Sequence, residues 1–156
     1  MQATTLALVG ATGGAGTTRT AVELAAMGAR DGKDVAVVDA AFTTQGLSEY
    51  VAGRIDPDLT ALLADDPDAA LSAAAYPVAG ADAGAERAGA GGPGSGGFRD
   101  GEGDAPDLPG RVDAVPARGP FERVARAKTA EAARKLERRI DEAATTYDAV
   151  VVDAAP

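Results

Sequence analysis

The amino-acid sequence predicts an α/β fold of three layers, in which helices cover both faces of a mainly parallel β-sheet. Three observations support this class. Short runs of β-branched residues lack the alternation of half-exposed strands, helical periodicity fills much of the sequence between them, and a glycine-rich turn directly follows the first run. The length of 156 residues fits one domain with a single sizeable core.

Four strands are expected from these runs. They are numbered one to four in chain order and cover residues 4–9, 34–39, 111–115 and 149–153. Short β-branched runs without alternation predict strands that are buried on both faces, as in a parallel sheet.

The first predicted helix covers residues 18–30, between strands one and two. Its apolar side consists of small residues, and Gly32 stands where a glycine commonly ends a helix. The residues of that side are Ala21, Val22, Ala25, Gly28 and Ala29.

Three further helices are expected between strands two and four. A short helix covers residues 59–63, a second follows the cap formed by Asp66 and Pro67, and a long helix covers residues 121–145. The inner side of the long helix is predicted to contain Phe121, Val124, Ala125, Ala132, Leu136, Ile140 and Ala143.

Residues 79–110 differ in composition from the rest of the chain. Gly, Ala, Asp and Pro dominate them, and such a segment cannot bury enough apolar surface to offset the entropy of ordering it. We therefore predict a disordered insert within one domain, between an N-terminal half (residues 1–78) and the remainder (residues 111–156). A mobile lid or tether is the functional alternative for this insert.

The composition excludes several classes of function. The chain has no Cys and no His, which rules out disulfides, thiolate nucleophiles, His-based triads and most zinc sites. Its net charge of −9 disfavours non-specific binding to nucleic acid or to anionic membranes. No run approaches the roughly 20 apolar residues that span a bilayer, and the N-terminus does not resemble a secretory signal. We expect a cytoplasmic protein.

The charged residues are strongly biased. There are 24 acidic residues against 15 basic ones, and only Lys33, Lys128 and Lys135 are lysines. An acidic, lysine-poor, alanine-rich chain is typical of halophiles that accumulate salt, since such surfaces stay solvated when charges are screened. A GC-rich genome favours a similar composition, so both explanations stay open.

A glycine-rich segment, residues 10–19 (GATGGAGTTR), follows strand one and opens the first helix. Glycines at positions 13, 14 and 16 allow backbone amides to converge on an anion without interference from Cβ atoms. This is the arrangement by which P-loops hold phosphate. The position just after the last glycine, where a P-loop has its lysine, is Thr17.

The sequence resembles the MinD/ParA-type P-loop ATPases, which share their fold with the nitrogenase iron protein. Residues 12–19 (TGGAGTTR) match the family's loop Lys-Gly-Gly-x-Gly-Lys-Thr-Thr, and residues 37–41 (VVDAA) stand where the family tends to have Asp-x-Asp. Residues 45–48 (QGLS) and 111–117 (RVDAVPA) resemble the segments that follow. Residues 147–156 (YDAVVVDAAP) resemble the Walker B strand and its Asp-x-Pro segment.

The resemblance implies a P-loop NTPase-like domain that binds ATP with magnesium. The nucleotide-binding positions would be Thr12, Gly13, Gly14, Ala15, Gly16, Thr17 and Thr18. The magnesium-binding positions would be Thr18, Asp39 and Asp153.

Three departures from the family pattern indicate a degenerate member without catalytic residues. Thr12 replaces the lysine that reaches the partner's phosphates in the family, Thr17 replaces the Walker lysine, and Ala41 replaces the acid associated with the attacking water. Because a charge-assisted hydrogen bond contributes about 1.5–3 kcal/mol, loss of the Walker lysine should weaken nucleotide binding by roughly 10- to 150-fold. Phosphoryl transfer depends on positive charge around the γ-phosphate, so turnover should suffer more.

The leading interpretation is a weakly nucleotide-binding or non-catalytic regulatory module, a pseudo-ATPase. The alternatives are an active ATPase that positions partitioning, division or motility machinery, and a purely structural interaction domain. In the last case the glycine loop is only a tight turn, and Asp39 and Asp153 only cap turns. Arg19 could replace the missing lysine, although a solvated helix residue is favoured. The basic residues between 118 and 139 are interleaved with acids, which favours a salt-bridged face over a binding patch.

In the family's topology the four strands lie in the order 3-2-4-1, which leaves strand one as an uncovered apolar edge. Such edges are normally paired or covered. We therefore expect a protein partner or self-association at this edge. The alternative is that the chain is a fragment of a longer protein.

Overall fold

The structure, a computed structural model, describes residues 3–65, 68–80 and 108–154. Five strands, four α-helices and two short 3₁₀ helices are found in these ranges. In chain order they are β1 (Thr4–Val9), α1 (Thr17–Arg30), β2 (Asp34–Ala40), a 3₁₀ helix (Gly46–Tyr50), α2 (Leu59–Ala64), a 3₁₀ helix (Leu71–Ala74), β3 (Tyr76–Ala79), β4 (Arg111–Val115), α3 (Phe121–Ala127), α4 (Ala130–Ala143) and β5 (Ala149–Ala154).

The strands form one sheet in the order β1-β5-β2-β4-β3. Pairing is parallel except between β3 and β4. The predicted order 3-2-4-1 is confirmed, because predicted strands one to four are β1, β2, β4 and β5. The sequence did not predict β3, a four-residue edge strand whose Pro77 argues locally against a strand.

Apolar residues pack against both faces of the sheet and confirm the three-layer architecture. On one face the small residues of α1, Ala21, Ala25 and Ala29, are fully buried against β2, β4 and β5. Gly28 allows a close approach there, since a Cβ at this position would lie 3.0 Å from Val35 Cγ2. On the other face α2, α3 and α4 pack against the same strands.

The single long helix predicted over residues 121–145 is wrong, because the structure has two helices there. α3 ends at Ala127, and Thr129 begins α4 by accepting a hydrogen bond from the Ala132 amide. The prediction that Phe121 and Ala125 lie on the inner side is also wrong, because Phe121 is 84% exposed and Ala125 is exposed. Within the described ranges, no helix is long and apolar enough to cross a membrane.

The region between β2 and β4 follows the prediction only in part. α2 matches the predicted helix at residues 59–63, whereas the second expected helix corresponds to the 3₁₀ helix at Leu71–Ala74. The cap predicted at Asp66 and Pro67 lies outside the described residues. Of the predicted insert, Ala79 belongs to β3 and the Gly110 amide donates to the Ala29 carbonyl. Residues 81–107 of the insert lie outside the described residues.

The strands differ in burial. The inner strands β2, β4 and β5 are buried along most of their length, as predicted. β1 is exposed at five of its six residues, so the expectation of burial on both faces is wrong for this strand. The reason is its place at the sheet edge, where its one strand neighbour among the described residues is β5.

Candidate functional site

The glycine loop leaves the carboxyl end of β1 and leads directly into α1. Its backbone takes the left-handed conformation at Gly14 (φ 78°) and Gly16 (φ 76°), which residues with a Cβ rarely adopt. Gly16 is the N-cap of α1, and no side chain caps the helix there. The first amides of α1 therefore remain available to an anion, and the helix dipole favours negative charge at this end.

The loop borders a cavity of about 350 Å³. A Cβ placed at Gly13, Gly14 or Gly16 would meet no other atom within 4 Å, so the loop faces open space. All seven predicted nucleotide-binding positions, residues 12–18, line this cavity together with Asp153. Asp39, the other predicted magnesium ligand, is not among the lining residues.

The side chains of Thr18 and Asp153 meet at the floor of this site. The Thr18 hydroxyl donates a hydrogen bond of 2.5 Å to Asp153 Oδ2. Asp153 is only 1% exposed, and its Oδ1 atom has no hydrogen-bond partner among the described residues. A buried carboxylate oxygen without a partner is costly, which makes it the atom most in need of a ligand.

Asp39 lies beside Asp153 on the neighbouring strand, in register with it. Its Oδ1 accepts from the Ala41 amide at 3.1 Å and its Oδ2 from the Leu47 amide at 3.3 Å. Burial, and after it the charge of Asp153, raise the pKa of Asp39 to about 7 although these backbone bonds oppose the rise. Asp39 therefore organises the turn after β2, and its contact with magnesium stays a prediction.

The three predicted magnesium ligands could supply only part of the coordination shell of a magnesium ion. Magnesium prefers oxygen ligands, and Thr18, Asp39 and Asp153 provide a hydroxyl and two carboxylates. Across the described ranges, no group of three or more His, Cys, Asp or Glu side chains is placed to hold a metal ion. The remaining ligands would have to be water and phosphate oxygens, as is common for magnesium sites.

The position of the missing lysine contains a short, uncharged side chain. Thr17 lies against Gly10, because a Cβ at Gly10 would be 2.7 Å from Thr17 Oγ1. Arg19 borders the cavity, but its side chain is 80% exposed, with Nε 3.7 Å from Glu23 Oε1. These contacts favour the solvated interpretation of Arg19.

The segment after β2 forms another part of the cavity wall. Ala41 and Gly46 were singled out from the sequence, whereas Thr44, Glu49 and Tyr50 were missed. A Cβ at Gly46 would lie 3.1 Å from Thr18 Oγ1, so this wall packs directly against the predicted magnesium ligand. No local pattern marks the three missed residues, because it is the turn after β2 and the 3₁₀ helix following it that bring them to the cavity.

Four of the basic residues between 118 and 139 form ion pairs, two of them with acids of the same interleaved run. Arg123 and Arg126 both pair with Asp65, at 3.2 Å and 2.8 Å. Pairs within α4 link Lys135 to Glu131 and Arg139 to Glu142. These contacts fit a salt-bridged face, while the expectation that nucleic acid is not bound stays a prediction.

No known protein-family pattern matches this chain, and no curated protein sequence matches it significantly. Two solved structures are similar in fold. The septum site-determining protein MinD of Pyrococcus horikoshii OT3, complexed with Mg-ADP, superposes with a TM-score of 0.59 at 21% identity over 96% of this chain and 48% of that one. The BceF tyrosine kinase domain superposes with a TM-score of 0.52 at 22% identity over 97% of this chain and 47% of that one.

These likenesses establish the MinD-like P-loop fold of this chain. The chain spans about half the length of either neighbour.

Proposed function

We propose that this domain binds the phosphate groups of a nucleotide weakly, together with magnesium, and acts as a non-catalytic regulatory or interaction module. The observation that carries the proposal is the buried Oδ1 atom of Asp153, which lacks a partner among the described residues in a cavity bordered by the glycine loop. An anion-binding loop and a carboxylate in need of a cation, placed at one cavity, suit a magnesium–phosphate ligand.

Phosphate binding would depend on the main chain rather than on side-chain charge. Gly14 and Gly16 have positive φ angles, and turns with such residues are where successive amides form anion-binding concavities. The uncapped start of α1 adds its dipole, which contributes about 0.3–1 kcal/mol for an anion. These contributions remain when the lysine is absent, so we expect dissociation constants in the millimolar range.

Magnesium, when bound with a nucleotide, would neutralise part of the phosphate charge. Thr18 and Asp153 would hold it, and Asp39 would orient the turn that packs on Thr18. The MinD neighbour was solved with Mg-ADP, which supports this choice of ligand.

Hydrolysis is disfavoured by the charges at the cavity. Its charged lining residues are one basic residue, Arg19, and two acidic residues, Glu49 and Asp153. Phosphoryl transfer depends on positive charge placed around the γ-phosphate, and Arg19 is turned toward Glu23 and solvent. Ala41 lines the cavity at the position where the family has an acid, and its methyl group offers no base for the attacking water.

Two alternatives have specific support. An active ATPase of the spatial-organisation type is favoured by the position of Arg19 at the cavity border, from which its side chain could turn inward. A purely structural domain is favoured by Asp39, whose two oxygens already accept backbone hydrogen bonds. The cytoplasmic location and the halophilic origin remain predictions.

A titration with Mg-ATP and Mg-ADP in molar KCl, followed by an assay of phosphate release, separates the three functions. We expect saturable millimolar binding without release above background. Thr18→Ala should weaken binding at least about fivefold through loss of one hydroxyl contact. The matched control is Thr20→Ala, which removes a hydroxyl two residues further along α1 that does not line the cavity.

Each alternative has its own outcome in that experiment. Release of phosphate that is abolished in the Thr18→Ala variant would support the active ATPase. Absence of binding at tens of millimolar nucleotide would support the structural domain.

A further inference from the structure

A second cavity, of about 400 Å³, lies between the turn after β2 and helix α3. We call it the α3 cavity. Its lining residues fall within 42–45 and 119–128, and none of them borders the cavity of the glycine loop. Neighbouring residues of one turn serve different cavities, since Thr44 lines the loop cavity whereas Thr43 and Gln45 line the α3 cavity. The volume is typical of sites that hold small molecules.

The α3 cavity has an apolar floor that belongs to the protein core. Phe42 and Val124 line it, are 7% and 8% exposed, and are members of the buried cluster on this face of the sheet. Phe121 also lines it but is 84% exposed. An apolar ligand would remove this ring from water, which favours binding.

Two hydrogen bonds join the walls of the α3 cavity. Gln45 Nε2 donates to the Gly119 carbonyl at 3.0 Å, and Lys128 Nζ donates to Thr43 Oγ1 at 2.8 Å. Gly119 is closely packed, since a Cβ there would overlap the Thr60 side chain. The walls are therefore held together without a ligand, which lowers the entropy cost of binding.

The charge at the α3 cavity is a single positive one. Among the described residues that line it, Lys128 alone is charged. Lys128 forms no ion pair with any acid in the described part of the chain, where its Nζ atom bonds to the neutral Thr43 hydroxyl. An ammonium has three donors, and a hydroxyl that accepts a hydrogen bond keeps its own donor. These groups suit one carboxylate, whereas a phosphate with two charges would lack a second cation and would lie against apolar walls.

We propose that the α3 cavity binds a small monocarboxylic acid with an apolar body. Its carboxylate accepts hydrogen bonds from Lys128 and Thr43, and its body covers Phe42, Phe121 and Val124.

A free acid suits this lining better than the C-terminal end of a peptide. A peptide brings backbone amides that need hydrogen-bond partners when they are buried. The Gln45 side chain already donates to the Gly119 carbonyl, so the lining has few polar groups left for such amides.

Calorimetry on the full chain tests the binding with three probes. Phenylbutyrate has both the charge and the apolar body, phenylbutanol lacks the charge, and acetate lacks the body. We expect phenylbutyrate to bind with a dissociation constant of about 1 mM or tighter and phenylbutanol at least about threefold more weakly. Acetate should show no saturable binding at tens of millimolar.

NMR locates the bound probe. Phenylbutyrate should change the amide chemical shifts of Thr43, Val124 and Lys128 and leave those of the glycine loop, residues 13–18, unchanged. Shifts confined to the glycine loop would overturn the proposal, because they would show that the probe binds only as an anion at the other cavity.

Two substitutions at exposed residues separate charge from apolar contact. Lys128→Met removes the charge and keeps the length, so phenylbutyrate should bind at least about threefold more weakly while phenylbutanol changes by less than about twofold. Phe121→Ala should weaken both probes alike, by about twofold or more. The matched control is Lys33→Met, since Lys33 is exposed and does not line the α3 cavity, and it should change neither affinity.

Absence of phenylbutyrate binding at tens of millimolar, or an equal effect of Lys128→Met on the two apolar probes, would overturn the proposal. Tighter binding of N-acetylphenylalanine than of phenylbutyrate would also overturn it, because that compound imitates the C-terminal end of a peptide. The outcome does not depend on nucleotide binding, since the two cavities share no lining residue.

Discussion

The glycine loop and the pair of aspartates beside it, Asp39 and Asp153, are built in opposite ways. The loop is a stretch of backbone that faces open space, since a Cβ added at position 13, 14 or 16 would meet nothing within 4 Å. Asp39 and Asp153 are buried side chains at the ends of adjacent strands, 0% and 1% exposed. An anion site made of backbone survives the loss of a lysine, whereas a pair of buried carboxylates costs free energy until a cation or a proton joins it.

The largest expected effect concerns the carboxylate half of the site. Burial raises the pKa of Asp39 from 3.8 to about 7, so the folded state favours the protonated acid. The raised pKa of Asp39 stabilises the folded state fully below about pH 4. This stabilisation decreases as the pH rises to about 7, so the free energy of unfolding falls by up to about 4 kcal/mol. Asp39→Asn should remove this fall when unfolding free energies are measured across pH without magnesium.

The control for that series is Asp31→Asn, which changes an exposed residue at the end of α1. The Asn variant at position 39 also alters the acceptor for the Leu47 amide, but this change shifts stability equally at every pH. If the two variants and the unmodified protein share one pH profile, Asp39 is not a buried acid of the kind described.

The next effect concerns the loop, where a charge can be restored. Thr17→Lys should tighten Mg-ATP binding by roughly 10- to 150-fold, since one charge-assisted hydrogen bond contributes about 1.5–3 kcal/mol. Thr17→Met is the matched control, because it adds length without charge. Equal affinities of the two variants in calorimetry would show that the loop does not place residue 17 beside phosphate.

A smaller effect is the difference in stability between alanine substitutions at two glycines of the same loop. Gly16 has a φ of 76°, so Gly16→Ala should lower the unfolding free energy by about 1–2 kcal/mol and weaken phosphate binding. Gly13 faces open space and is not among the glycines with positive φ, so Gly13→Ala should change stability by less than about 0.5 kcal/mol. Thermal unfolding checks both, and equal losses would argue against the loop geometry.

The smallest effect tests whether Arg19 serves as the missing cation. Its exposed side chain lies beside Glu23, and exposed pairs of this kind contribute about 0.2–1 kcal/mol. Arg19→Ala should therefore change Mg-ATP affinity by less than about fivefold. A loss of tenfold or more in the same titration would favour the active ATPase.

The sequence predicted the features that depend on local backbone patterns better than those that depend on packing between distant residues. The glycine loop, α1 and the four main strands follow from local patterns, because glycine spacing and β-branched runs determine them within a few residues. The break at Lys128 was missed, since the cap at Thr129 lies within an apolar periodicity that continues on both sides. β3 was missed because its strand pairing depends on β4, which lies far along the chain.

The site was predictable where it is made of backbone and less so where it depends on packing. Residues 12–18 and Asp153 line one cavity, and their binding of nucleotide and magnesium stays a prediction. The turn-capping role of Asp39 was one of two open interpretations, and its partner Leu47 lies eight residues further on. Thr44, Glu49 and Tyr50 reach the cavity only through this turn and the 3₁₀ helix that follows it.

The most direct test of main-chain phosphate binding follows the backbone amides of the loop by NMR while Mg-ADP or pyrophosphate is added. We expect chemical-shift changes at the amides of Gly13, Gly14, Gly16 and Thr18 that saturate at millimolar ligand. The same amides should respond to Mg-ADP and to pyrophosphate, because both ligands contain phosphate groups. Unchanged loop amides at tens of millimolar ligand would contradict this mode of binding, because an anion site made of main chain cannot bind phosphate without perturbing those groups.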